Sequence, residues 1–288
     1  EVELIASASI GITFSAIGYD SADDVLRDAD TAMYKAKAAG KARYAIFDAG
    51  LHTAVSERLR LEGELRTAID KGQLAVHYQP VFRLEHGEAG EDGDGEPGAV
   101  RRLFGFEALV RWQHPQDGTL VPAEFLPIAE ESGLMLQLSD FVLHCACRQL
   151  RRWQLSDPAL ARLSMSVNLS AHDIADPTLV ARVSRALVES GLQTGDLTLE
   201  ITENILMSNL EAALAALAEL RRLGVRVAMD DFGTGYSSLS HLSRLPIDSL
   251  KIDRSFVRDL QRGSPEAAVI GAIIQLGGTL RKQVVAEG

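Results

Sequence analysis

The sequence predicts an α/β protein: a parallel sheet curled into a (β/α)8-type barrel, preceded by a partial, smaller α/β unit. Three observations carry this. From Leu103 to the end, short apolar runs alternate with segments of helical spacing, the pattern of a parallel sheet with helical crossovers. Polar residues embedded in or ending those runs, namely Glu107, Asn168, Glu200, Asp230, Asp231, Lys251 and Glu287, recur from Asn168 onward at intervals of 32, 30, 21 and 36 residues, each about one βα unit. Before residue 50 the order is strand, helix, strand, the end of an α/β domain rather than a whole one.

In chain order, Ala6–Phe14 reads as a strand and Ser21–Ala39 as a helix. Ser21 is its N-cap, Val25, Leu26, Ala29 and Met33 face inward, and Gly40 is the stop. Tyr44–Phe47 is a short closing strand. His52–Asp70, rich in Leu, Arg and Glu at helical spacing, reads as a connecting helix. Leu74–Val81 is a strand, and the acidic, glycine-rich Glu85–Gly98 is a surface loop without periodicity. Its DGDGE run lacks the distal Glu that a calcium loop needs. Strand Leu103–Arg111, helices Ala123–Ser132 and Leu138–Gln154, strand Leu163–Asn168, helix Pro177–Ser190, strand Leu197–Ile201 and helix Asn209–Leu223 follow. The stretch around which these are organised is Val225–Leu239, VRVAMDDFGTGYSSL: an apolar run, two aspartates where that strand is expected to end, then a loop whose glycines permit a tight turn. Strand Ser249–Ile252, helix Pro265–Leu280 and strand Val284–Glu287 complete the chain.

Composition narrows the function. At 288 residues and 46% hydrophobic, the chain can bury a substantial core. A formal charge of −11 argues against nucleic acid polymers as partners, although not against a small anion held through metal ions. Cys145 and Cys147 diverge on a helix and read as buried free thiols in a reducing, cytoplasmic compartment. No signal peptide is visible, and the longest apolar stretch falls far short of the ~20 residues of a membrane span.

Adjacent carboxylates such as Asp230 and Asp231 repel unless a cation or a proton intervenes. In a barrel, all the strand-end residues converge at the C-terminal mouth, where such folds place their chemistry. Glu, Asn and Asp are hard oxygen donors suited to Mg²⁺ or Mn²⁺, whereas His77, His86, His114 and His172 lie at spacings unrelated to a zinc site. So many carboxylates suit a pair of ions ~3.5–4 Å apart, a clamp that activates water for attack on phosphorus. Lys251 could orient that water or offset charge in the transition state. Metal-assisted phosphodiester hydrolysis is the chemistry these residues point to.

The motifs also resemble a known family. Glu107-Ala108-Leu109 with Arg111-Trp112, VNLS at Val167–Ser170, LEITE at Leu199–Glu203, DDFGTGYSSL and LKID are together similar to the EAL phosphodiesterase domain, from about Leu59 to Gly288. The resemblance implies a TIM-like barrel with an antiparallel first strand, and hydrolysis of cyclic di-GMP to linear pGpG with two Mg²⁺ or Mn²⁺ ions. It implies Glu107, Asn168, Glu200 and Asp230 as metal ligands, with Asp231 bridging to the second ion. Lys251 and Glu287 would assist the attacking water, Glu203 would steady the DFGTG loop, and Gln79 and Arg111 would contact the dinucleotide. Upstream, ASIGIT and DADTAMYKAKAAGKARYAIFD resemble the C-terminal part of a GGDEF (diguanylate cyclase) domain, in which Lys37 and Lys41 would approach nucleotide phosphates. The GGDEF signature itself is not in the sequence.

The expected organisation is therefore residues 1–50 as the end of a GGDEF domain, 51–72 as a connecting helix and 73–288 as an EAL domain. The chain starts without Met and stops at VVAEG, and only seven barrel strands can be counted, so truncation at both ends is expected. An upstream sensory or GGDEF portion, possible membrane anchoring through it, and a homodimer are expected of the full-length protein. The competing readings are a catalytically silent cyclic di-GMP receptor, and an interaction module that dimerises through His52–Asp70.

Overall fold

The computed structural model describes residues 7–38, 40–86, 99–234, 242, 245–258, 260–261 and 264–287. Strand β1 (Ile10–Ile12), helix α1 (Ala22–Ala38) and strand β2 (Tyr44–Ile46) form the N-terminal unit, with β1 and β2 parallel. The Ser21 hydroxyl accepts from the Asp24 amide at 3.2 Å, the expected cap, and Gly40 ends the helix at φ 108°. One inward assignment needs correction. Ala32 and Ala36 are buried while Leu26 is 63% exposed, because the helix lays the stripe through residues 25, 29, 32 and 36 on a two-stranded sheet too narrow to reach Leu26.

Helix α2 (Ala49–Asp70) leads into β3 (Leu74–His86), which pairs antiparallel with β4 (Ala99–His114); β5 (Gly118–Leu120) pairs with the end of β4. The helix is held by Leu65 and Ala68, buried in the core, and its register on the hairpin is marked by ion pairs. Arg60 contacts Glu57, Glu64 and Asp117, and His114, inserted among them, contacts Glu64 at 2.7 Å and Asp117 at 2.9 Å. The loop expected over residues 85–98 is shorter than read: Glu85 and His86 continue β3, opposite Val100 and Ala99, because the hairpin ladder runs past the apolar part of each strand. The remainder of that stretch lies outside the described residues.

Helices α3 (Pro122–Ser132) and α4 (Met135–Ser156) precede β6 (Ser164–Asn168). Then come α5 (Ala171–Ala175), α6 (Leu179–Ser190), β7 (Leu197–Thr202), α7 (Glu203–Ser208), α8 (Leu210–Leu223), β8 (Arg226–Phe232), β9 (Ser249–Ile252), α9 (Arg254–Arg258), α10 (Pro265–Thr279) and β10 (Gln283–Ala286). The sheet order is β10-β9-β8-β7-β6-β4-β3, parallel throughout except at β3. It is the curled sheet of a TIM-like barrel, with the antiparallel first strand that the resemblance implied, and β3 and β10 stand at its two edges.

Outside the irregularities at Val81/Phe82 and Met229/Phe232, the strands alternate. Met165, Val167, Leu197, Leu199, Ile201, Val227, Met229, Leu250 and Ile252 are each at most 2% exposed and face the helices. Burying each such side chain is worth about 1.5–3 kcal/mol, and the layer packs into one core with helix residues such as Phe125, Leu150, Val183 and Leu217. The residues between them, such as Ser164, Ser166, Thr198, Ala228 and Ser249, are small or polar and line the barrel interior. At Gly105 the strands approach so closely that a Cβ would fall on the Ser164 carbonyl, hence glycine.

Candidate active site

Period-2 geometry and ladder register decide which side chains meet. Gln79 stands opposite Glu107, Glu107 beside Ser166, Asn168 beside Glu200, Glu200 beside Ala228, Ala228 beside Ser249, and Lys251 beside Val285. Each polar position is an even step from its neighbour, so all lie on the inner face. Successive strands also climb relative to one another, as barrel tilt requires. Asp230, Lys251 and Glu287 thus rise above Glu107 at the C-terminal mouth.

The centre of the cluster is the Lys251 ammonium. Its Nζ lies 2.5 Å from Glu200, 2.7 Å from Glu287, 3.1 Å from Glu107 and 3.2 Å from Asp230. Burial works against that charge, but Glu200, Glu107, Asp230 and Glu287 outweigh it and hold the amine protonated well above the usual lysine range. Asn168 Nδ2 donates to Glu107 Oε1 at 2.9 Å, leaving its own Oδ1 for another partner. Gln79 is exposed beside Glu107, and Arg111 is half-buried farther along β4, its Nη1 donating to the Val110 carbonyl at 2.7 Å.

Asp230 and Asp231 depart from expectation. The strand does not end before them; β8 runs to Phe232, and its pairing with β9 shifts between Met229 and Phe232. Consecutive residues of a regular strand point to opposite faces. Here Asp231 takes φ 53°, left-handed for a side-chain-bearing residue, and the bulge turns both carboxylates towards one place. Asp230 Oδ1 accepts from the Asp231 amide at 2.9 Å, and Thr234 Oγ1 donates to the Asp231 carbonyl at 2.9 Å. Gly233 follows at φ 103°, packed so near Phe256 that a side chain there would be strained. Gly235, Tyr236, Ser237 and Ser238 of the motif lie outside the described residues.

Carboxylate oxygens of Asp230, Asp231 and Glu287 lie within 4.8 Å of one another, a spacing that fits a hard divalent cation. Burial, with Asp230, Asp253 and Glu287 nearby, raises the Asp231 carboxyl to about 6. Burial raises Glu200 to about 7 against the pull of Lys251, and raises Glu287 as well. Asp253, whose carboxylate accepts from the Ser255 amide at 2.9 Å and from the Ser255 hydroxyl and which lies near enough to Asp231 to act on its titration, is the site member that sequence reading missed; it sits one residue beyond β9, inside the LKID motif. Glu203 is buried at the start of α7, and its Oε1 has no hydrogen-bond partner among the described residues.

A pH dependence follows. Between ordinary carboxyl values of 3.8 and 4.5 and the raised values near 6 and 7, the folded chain holds protons that the unfolded chain has lost. Stability from Asp231 and Glu200 therefore falls as pH rises through that window. In chelator, the thermal midpoint is expected to be several degrees higher at pH 5 than at pH 8. Added Mn²⁺ should remove or invert the difference, since it binds the deprotonated form. Midpoints measured at both pH values with and without Mn²⁺ check this; a metal-free midpoint rising towards pH 8 would contradict it.

A curled parallel sheet gathers oxygen donors around one ammonium at its C-terminal mouth, the end of such barrels where chemistry is placed. The chain belongs to the EAL domain family, whose model it matches over residues 97–288. It is 41% identical over 286 residues to the bifunctional diguanylate cyclase/cyclic di-GMP phosphodiesterase MucR of Pseudomonas aeruginosa, covering 99% of this chain and 39% of that protein. To the cyclic di-GMP phosphodiesterase PdeR of Escherichia coli it is 38% identical over 287 residues, covering 100% of this chain and 41% of the relative. The chain thus spans about two fifths of the length of these relatives. Among solved structures, the PaMucR phosphodiesterase in its c-di-GMP complex superposes with a TM-score of 0.69 at 43% identity, covering 80% of this chain and 86% of that one. Among the described residues, no helix is long and apolar enough to cross a membrane.

Proposed function

We propose that this chain hydrolyses cyclic di-GMP to linear pGpG at the barrel mouth, as the phosphodiesterase part of a longer signalling protein. The observation that carries the reading is the convergence of Glu107, Glu200, Asp230 and Glu287 on Lys251, with Asp231 brought alongside by the bulge. That MucR, NbdA and PdeR are all named for cyclic di-GMP phosphodiesterase activity supports the choice of substrate.

Glu107, Asn168, Glu200 and Asp230 would hold one Mg²⁺ or Mn²⁺; Asp230, Asp231 and Glu287, with Asp253 behind, would hold a second. When bound, such ions neutralise charge on the phosphate and lower the pKa of a coordinated water. Lys251 positions the carboxylates by its four contacts, and its ammonium would offset charge that develops on the phosphoryl oxygens. Glu287, at the rim with a raised carboxyl pKa, would assist the attacking water, its second oxygen free of the cation. Gln79 and Arg111 lie on the same face of the hairpin as Glu107, where they would meet a dinucleotide, and Glu203 would support the segment after Gly233.

Residues 1–50, 51–72 and 73–288 are read as the end of a GGDEF domain, a connecting helix and the EAL domain. The parallel β1–β2 pair under α1, and the bifunctional name of MucR, support the first of these.

Chromatography of the nucleotide products tests the activity. Turnover is expected with Mg²⁺ or Mn²⁺, and should be lost in chelator and in Ca²⁺, whose longer bonds would spread the clamp. Equal turnover in Ca²⁺ or in chelator would rule out the two-ion mechanism. Binding of cyclic di-GMP without any turnover in Mn²⁺ would favour a receptor.

A further inference from the structure

At the end of the barrel away from the carboxylates, the β3–β4 ladder sets Arg83 directly opposite Arg102. Like charges in register on neighbouring strands repel, and such pairs are destabilising unless something answers them. Arg162, in the turn that leads into β6, lines an open recess with them, walled by Leu103, Phe104 and Leu163 and of about 230 Å³; all three arginines are exposed. The Arg83 guanidinium carbon lies 5.0 Å from the Phe104 ring centroid, which fixes it at the wall. In a chain of formal charge −11 this concentration of cations is out of keeping with the rest. Arg58, Arg60 and Arg182 all have carboxylate partners, whereas among the described residues Arg83, Arg102 and Arg162 have none.

Guanidinium forks match phosphate oxygens two at a time, and three converging on one recess exceed what a single carboxylate needs. We propose that this recess is a second, non-catalytic site that binds a phosphorylated small molecule through a diphosphate group. The bridging anion relieves the Arg83–Arg102 repulsion and is held by Arg162 from the turn before β6. The recess lies at the opposite end of the strands from Lys251, so the inference stands whatever is hydrolysed at the mouth.

The test is calorimetric titration at low salt, in chelator so that the mouth cannot bind anions through metal. Inorganic pyrophosphate and guanosine 5′-diphosphate are the probes, against the unaltered chain and R83Q/R102Q. One saturable site per chain is expected, weakened at least about tenfold in the variant, as the loss of two charge-assisted contacts requires. Tighter binding of the nucleoside diphosphate identifies a nucleotide as the source; equal binding identifies the diphosphate group alone, and either supports the site. Thermal unfolding gives an independent readout. Arg102→Gln alone should leave the ligand-free midpoint unchanged or higher, since it removes a repulsion, yet abolish the rise that pyrophosphate produces. Unchanged affinity in R83Q/R102Q, or no saturable binding by the unaltered chain, overturns the proposal. Residues 87–98 carry Glu88, Glu91, Asp92, Asp94 and Glu96. Should pyrophosphate bind only when these are amides, the arginines serve the chain's own acids and the proposal fails as well.

Discussion

Asp230→Asn is expected to lower turnover of cyclic di-GMP by more than about 100-fold while leaving a folded protein. Asn has nearly the same shape, and Asp230 has two interactions that it can partly keep: its Oδ1 accepts from the Asp231 amide, and its Oδ2 faces Lys251 at 3.2 Å. What Asn lacks is the charge. Asp230 is the residue common to both proposed cation positions, next to Lys251 on one side and within 4.8 Å of Asp231 and Glu287 on the other. Neutralising it removes a negative ligand from each. Product chromatography in saturating Mn²⁺, beside a thermal melt in chelator, separates catalytic from structural loss. The metal-free melt should be unchanged or sharper, since one of four acids around Lys251 has gone. A variant retaining full rate would return Asp230 to a purely structural role.

The sequence was most informative where a single physical rule acts alone. The alternation in LTLEIT places Leu197, Leu199 and Ile201 on the helices and Thr198 and Glu200 inside; all five are buried, and it is Thr198 and Glu200 that line the barrel interior. Regular spacing of polar strand ends was enough to predict one mouth, and Glu107, Glu200, Asp230, Lys251 and Glu287 do meet there. Features that depend on two rules competing were not legible. Strand propensity fades at Asp230, yet cross-strand pairing carries β8 to Phe232, and the conflict is resolved by a bulge no periodicity announces. Asp253 follows an apolar run as an ordinary loop-entry aspartate would; only the fold sets it beside Asp231. Leu26 carries the helical period of α1 but lies off the edge of a two-stranded sheet, a width no single helix encodes. The Arg83–Arg102 pairing was equally hidden, because their register depends on the irregularity between Val81 and Phe82.

Lys251→Met should destabilise the metal-free protein more than any other single change at the mouth. The ammonium is 4% exposed and within ion-pair distance of four carboxylates. Removing one partner of a buried charge cluster typically costs about 3–5 kcal/mol, because the charges left behind are neither solvated nor paired. In a domain of this size that is a fall of about 6–20 °C in thermal midpoint. The loss must depend on pH in a defined direction. Lys251 now opposes the upward shift of the Glu200 and Glu287 carboxyls, so without it both rise further and hold protons to higher pH. The penalty is therefore largest near pH 8, where those protons must leave, and smallest near pH 5. A divalent cation should restore much of the stability, since it supplies the positive charge the carboxylates have lost. It should not restore turnover, because a cation bound by the carboxylates leaves nothing at the Nζ position to meet developing phosphoryl charge. At saturating Mn²⁺ the variant is expected to lose at least about 100-fold in kcat with only a few-fold change in KM. Melts in chelator at both pH values, then in Mn²⁺, followed by kinetics on the same samples, distinguish the two roles. An unchanged metal-free midpoint would show that Lys251 does not hold the carboxylates together. A rise in KM with kcat unchanged would place it in ground-state binding.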